Sequence, residues 1–178
     1  MGRPRRAGRG AEGGEVVGRV GGRADTTRSL SEMALKKLRR QCRLVASEVR
    51  LDDSCRVDFV GFVEGRGFGP AAVERGTFVF VEVKSCMDDF TSGHGLTLQG
   101  DVNWLVCPRE LAAQLYRQQR LPLECRVLCP TPDGRLLPEY ETGTGDSQRV
   151  MPSGELLYRM ATASDQAYRT TREVFRND

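Results

Sequence analysis

The sequence predicts an α/β protein with a central mixed sheet flanked by helices. Three observations carry that expectation. Short runs of β-branched and aromatic residues are interleaved with amphipathic helical segments, in the order helix, strands, helix, strand. The strongest run, Thr77–Lys84, is apolar on nearly every residue, as in a strand covered on both faces. The chain has 178 residues, 39% hydrophobic and 29% charged, enough for one domain with a real core.

Residues 1–28 hold eight glycines and seven arginines and almost no bulky apolar side chains. Such a segment buries too little surface to offset its ordering entropy, so it is expected to be a disordered tail. Its arginines could touch nucleic acid, as RG-rich tails can. A solvated tail, or a translation start placed too far upstream, are the plainer readings. The single domain then occupies residues 29–178.

Order is expected to begin near Ser29, which with Glu32 forms a capping-box pattern. Leu30, Met33, Ala34, Lys37, Leu38 and Gln41 follow at helical spacing, predicting a helix over about 30–41 with Lys36, Arg39 and Arg40 outward. Val45, Ser47, Val49 and Leu51 alternate with Glu48 and Arg50, predicting a strand over about 45–51 closed by an Asp52-Asp53 turn. Arg56–Val63 reads as a second strand, 64–76 as a Gly-rich loop and Thr77–Lys84 as a third strand. Residues 85–101 read as irregular, with a short helical turn at 87–91. Val102–Cys107 is a short apolar strand, and Pro108 opens a helix running to about 119. A hairpin follows, Cys125–Cys129 and Arg135–Leu137 around the turn Pro130–Gly134. Residues 138–153 read as a polar loop. A last helix over about 154–174 has Leu156, Leu157 and Met160 on its apolar side and Arg159, Arg169 and Arg172 outward.

Residues 1–50 carry a net charge of +8, residues 51–150 a net −5 and residues 151–178 none, within a total of +3. A basic head joined to an acidic middle points to an acidic partner for the head. No stretch approaches the roughly 18 apolar residues that span a bilayer. The first residues lack the apolar core of a secretory signal, and Arg6 breaks the myristoylation pattern. The six cysteines are too sparse for a disulfide scaffold, and only Cys125 and Cys129 lie close together. With His94 the only histidine, a zinc site is not expected. Reduced, mostly buried thiols in a cytoplasmic protein are the expectation.

The third strand carries an anomaly. Phe78, Phe80, Glu82 and Lys84 share one face by strand alternation, and Val79, Val81 and Val83 share the other. An acid and a base thus end an apolar face, and burying such a pair costs several kcal/mol unless something compensates. If strands 57–63 and 77–84 are antiparallel and closed symmetrically about Pro70, Asp58 falls opposite Glu82, within about 6 Å. Two carboxylates that close repel unless a cation lies between them. Hard oxygen ligands with room for water suit Mg²⁺ or Mn²⁺, and the Val83 carbonyl could complete the protein ligands. Lys84 is then placed to hold an attacking water or to stabilise charge on a phosphate.

Asp58 followed by Glu82-Val83-Lys84 at the end of an apolar strand resembles the PD-(D/E)XK nuclease superfamily. The continuation Ser85-Cys86-Met87-Asp88-Asp89-Phe90 is similar to MmcB-type DNA-repair proteins and small phage nucleases. Ser92-Gly93-His94-Gly95-Leu96 and Asn103–Pro108 look more like the phage or prophage members. The resemblance covers about residues 45–110. It implies a restriction-endonuclease-like α/β/α core, Mg²⁺-dependent phosphodiester hydrolysis and a DNA substrate in repair, recombination or processing. It makes Asp58, Glu82 and Lys84 the catalytic set, with Asp58, Glu82 and Val83 on the metal. Glu48 fits an upstream glutamate that many members carry, and Asp89 and His94 are further accessory candidates. Members are often dimers, so a homodimer is the assembly implied, although no dimerisation signal stands in the sequence. Val57 replaces the motif's Pro, and Asn103 stands where exonuclease branches have Tyr, so no exonuclease is implied.

Each residue also has a plainer reading. Glu82 and Lys84 could form an ordinary ion pair, Asp58 could cap a turn, and Glu48 could face solvent. Asp88 and Asp89 could cap a short helix, and His94 could serve a tight loop between glycines. Two rival functions stay open: a catalytically inactive nucleic-acid-binding module of the same fold, or a phage accessory protein acting through protein contacts.

Overall fold

The computed structural model describes residues 22–92, 96–143 and 149–174, the side chains of 164–174 excepted. Six strands lie side by side in chain order in one sheet. β1 (Leu44–Arg50), β2 (Arg56–Val63) and β3 (Thr77–Val83) form an antiparallel meander. β4 (Val102–Val106) and β5 (Cys125–Pro130) add in parallel, and β6 (Leu136–Thr142) ends the sheet antiparallel to β5. Helix α1 (Arg23–Gln41) precedes β1, α2 (Pro70–Glu74) joins β2 to β3, and α3 (Met87–Thr91) follows β3. α4 (Arg109–Arg117) makes the crossover that the parallel pair β4–β5 requires, and α5 (Ser153–Val174) comes last. The chain is α/β with a mixed sheet flanked by helices.

Strand β3 sets the layers. Val79, Val81 and Val83 pack with Leu30, Ala34 and Leu38 of α1 on one face. Phe78 and Phe80 pack with Leu156 and Met160 of α5 on the other. Leu105, Cys107, Val127 and Cys129 pack under Leu111, Ala112 and Leu115 of α4. Both faces of the central strands are therefore covered, which explains their near-continuous apolar sequence. At Gly61, α1 and the chain after it come so close to β2 that a Cβ there would lie 2.5 Å from Cys42 Sγ and 2.9 Å from Leu38 Cδ2.

The first helix starts earlier than its sequence pattern indicates. Residues 23–28, expected to belong to a disordered tail, are the opening turns of α1, with Gly22 as N-cap. Asp25 lies in the first turn, where the helix dipole favours an acid, and Thr27 Oγ1 donates to the Arg23 carbonyl at 3.0 Å. Ser29 and Glu32 are consequently helix-interior residues. Residues 1–21 lie outside the described residues. The segment 138–142, expected to be loop, extends β6. As an edge strand it tolerates Pro138 and needs no strict apolar alternation. Its anchors are the Tyr140–Tyr116 ring stack and the Thr142 hydroxyl, which accepts the Cys125 N–H at 3.2 Å. Within the expected loop 64–76, Pro70 opens the one-turn helix α2.

Among the described residues no helix is long and apolar enough to cross a membrane. All six cysteines are free thiols, with Cys107, Cys125 and Cys129 buried. The close approach at Gly61 gives a direct test of the α1 docking. Gly61→Val should lower stability by about 1–3 kcal/mol through overpacking. Urea melts should show a lower midpoint at an unchanged slope.

Candidate active site

The site grows from the end of β3. Alternation puts Glu82 on the same face as Phe78 and Phe80, and its side chain is 0% exposed. Its Oε1 accepts the Thr97 N–H at 3.4 Å, while Oε2 is buried with no hydrogen-bond partner among the described residues. Burial, and then the charge of the neighbouring Asp58 carboxylate, push the Glu82 carboxyl up to about 9, and a side-chain hydrogen bond to Asp58, which holds the proton, adds to that shift. Lys84 and the Thr97 N–H oppose that shift without cancelling it.

Asp58 arrives beside Glu82 through the register the sequence implied. The β2–β3 ladder runs from Val63↔Thr77 to Phe59↔Val81, and one further step sets Asp58 against Glu82. The ladder stops there. Instead of backbone, the Asp58 carboxylate takes the next bond: its Oδ2 accepts the Val83 N–H at 2.8 Å. The β1–β2 ladder is interrupted at the same place, passing from Ser47↔Phe59 to Val49↔Val57. Phe59 packs on the α1 side, yet Val57 packs with Val49 and α5 on the other, so the period of two breaks at Asp58. The Asp58 carboxyl is raised by burial, against the pull of the Val83 N–H and of Lys84 and Arg56. The turn-cap reading of Asp58 is set aside. Asp52 takes that role, accepting from the N–H groups of Ser54 and Cys55.

Lys84 ends the strand with a side chain only 6% exposed, and its N–H donates to the Val106 carbonyl at 3.0 Å. Its Nζ lies 3.9 Å from Asp89 Oδ1. Asp89 Oδ2 accepts from the Ser85 N–H at 3.0 Å and the Ser85 hydroxyl at 3.3 Å. Asp89 thus ties the turn after β3 to α3 while facing the lysine.

These groups line one cleft of about 660 Å³ at the open end of the sheet. Glu48 also lines it, but with a side chain 58% exposed and an ion pair to Arg56 at 2.8 Å. Its backbone is left-handed, φ 56°, a conformation that costs a non-glycine residue free energy. His94 lies outside the described residues. Sequence reasoning did not mark Thr97 or the α1 pair Thr27 and Ser31, which line the cleft as well. Arg23, Thr27 and Ser31 stand four residues apart, as on one helix face, but Arg23 and Thr27 fall in the segment expected to be tail and Ser31 at the expected helix start.

The donors fit a small hard cation. A buried carboxylate oxygen without a partner stands next to a second carboxylate, both oxygen ligands of the kind Mg²⁺ and Mn²⁺ prefer. In a strand the N–H and C=O of one residue point the same way, so the Val83 carbonyl faces the side from which Asp58 takes the Val83 N–H. Among the described residues no group of three or more His, Cys, Asp or Glu side chains could hold a metal. An ion here would have Asp58, Glu82 and the Val83 carbonyl as its protein donors, with water for the remaining positions.

Because Glu82 titrates near 9 in the folded chain and near 4.5 when unfolded, the folded chain binds this proton more tightly. Stability contributed by the protonated group is present below about 4.5 and is lost as pH rises toward 9. In EDTA, Glu82→Gln should therefore melt above wild type near pH 8, by on the order of 1–3 kcal/mol, with the gap closing near pH 5. Adding Mn²⁺ should raise the melting temperature of wild type and not that of the variant. No protein-family model, curated protein or solved structure matches this chain.

Proposed function

We propose that the chain is a divalent-metal-dependent nuclease of the PD-(D/E)XK type, hydrolysing phosphodiester bonds in DNA during repair, recombination or processing. The reading rests on the unpartnered, buried Glu82 oxygen beside Asp58, with Lys84 two residues further along the same chain. The acids that line the cleft, Asp58, Glu82 and Asp89 among them, outnumber Lys84, Arg50 and Arg56, so a bound cation would favour entry of an anionic phosphate. When bound by these residues, Mg²⁺ or Mn²⁺ would supply Lewis-acid stabilisation of the charge building on the scissile phosphate.

The chain's own residues do the rest. Asp58 and Glu82 would hold the ion, with the Val83 carbonyl as a third oxygen donor. The Asp58–Val83 hydrogen bond fixes the first carboxylate to the strand that carries the second. Lys84, positioned against Asp89, donates to the attacking water or to a phosphoryl oxygen as negative charge develops. Arg50 and Arg56 line the same cleft and can bind flanking phosphates. The reaction is in-line attack of water on phosphorus with departure of the opposite sugar oxygen.

The purified chain should cleave plasmid, linear or single-stranded DNA in Mg²⁺ or Mn²⁺ and stop in EDTA. Glu82→Ala, Lys84→Ala and Asp58→Asn should each lower the rate by about 10²-fold or more. Absence of cleavage with every nucleic acid tried, or wild-type rates in these variants, contradicts the reading.

A further inference from the structure

The first core residue of helix α1 is Leu30; the turns before it lie outside the core. Thr27 and Ser31, one helical turn apart, form a wall of the cleft that holds Asp58 and Glu82. One turn before Thr27, Arg23 reaches Asp89 Oδ1 at 3.7 Å. That same oxygen faces Lys84 Nζ at 3.9 Å. One carboxylate oxygen is therefore shared between a buried lysine and an arginine whose side chain is 60% exposed. Both contacts are long, and an exposed pair of this kind holds its members weakly. A better anion entering the cleft would draw Arg23 away from Asp89.

We infer that Arg23, Thr27 and Ser31 form a track for the DNA backbone on one side of the scissile phosphate. The inference rests on the nuclease reading for where that phosphate lies. The Arg23 guanidinium and the Ser31 hydroxyl can donate to phosphate oxygens, and the Thr27 hydroxyl can do so by turning from the Arg23 carbonyl; such contacts carry no base information. Eight residues of helix span about 12 Å. That exceeds the reach of one phosphate group, so the stripe suits a run of backbone rather than a single ion. The acidic floor and the donor-bearing wall then divide the work, the floor for the cation and the wall for the substrate.

The test uses the full chain with fluorescein-labelled single- and double-stranded oligonucleotides. Arg23→Ala should raise KM about 3–10-fold at moderate salt, with the loss falling on KM rather than kcat, and lower the salt slope of binding by about 1. Arg23→Lys should restore most of the affinity. Thr27→Ala with Ser31→Ala should weaken binding further without changing the slope. Arg117→Ala removes an exposed arginine that does not line the cleft and should change neither KM nor slope. A fall in kcat at constant KM, an unchanged KM, or an equal effect of Arg117→Ala overturns the proposal. If wild type cleaves and Arg23→Ala binds normally, the track is wrong and the nuclease reading stands. If wild type binds DNA through Arg23 but cleaves nothing, the nuclease reading is wrong and the track stands.

Discussion

Glu82 is held out of water at the end of β3 while one of its carboxylate oxygens lacks a partner among the described residues. A buried carboxylate needs a proton, a donor set or a cation, and desolvation together with Asp58 drives this one toward the proton. The other end of β3 shows how the same fold treats a carboxylate it uses for structure. There Asp101 accepts the Phe78 N–H at 2.8 Å, and Arg149 pairs with the same oxygen at 3.0 Å. Asp58 accepts the Val83 N–H in the same manner, yet its closest acidic neighbour is Glu82 and no ion pair is formed with an arginine among the described residues. At one end of the strand an arginine neutralises the carboxylate, and at the other Lys84 opposes but does not cancel the burial that raises Asp58 and Glu82.

The opening at that second end follows from backbone geometry. Both ladders of β2 are interrupted at Asp58, and the face alternation changes there. Glu48, opposite on β1, sits at φ 56°. Strain of this kind persists where surrounding contacts over-determine the backbone, and it gathers at functional sites. Here α5 packing against β1 and α1 packing against β2 and β3 hold the strands on either side. Lys84 is fixed from the third direction, through the Val106 carbonyl and the Asp89–Ser85 clasp.

Much of this was legible in the amino-acid sequence, for identifiable reasons. Glu82 stood out because an acid interrupts an otherwise apolar strand, and strand alternation alone then fixes its face. The antiparallel register was readable because β2 and β3 are close in sequence and closed about one loop, and the Phe59↔Val81 pair matches it. What stayed hidden depends on tertiary placement. Thr97 reaches Glu82 from a loop with no periodic signal. Glu48 was marked as an accessory acid, and the structure brings it to the cleft, but as an exposed residue paired with Arg56. The early turns of α1 were masked by the Arg- and Gly-rich composition around them, and β6 by the polar residues an edge strand tolerates.

The central claim is that the Asp58–Glu82 pair is built for a divalent cation. Anomalous diffraction from crystals soaked in millimolar Mn²⁺ tests it most directly. The account predicts one strong peak at about 2.0–2.3 Å from oxygens of both carboxylates and from the Val83 carbonyl. Crystals that hold no ion there, with Glu82 Oε2 still unpartnered or bonded only as a protonated acid to Asp58, would contradict it.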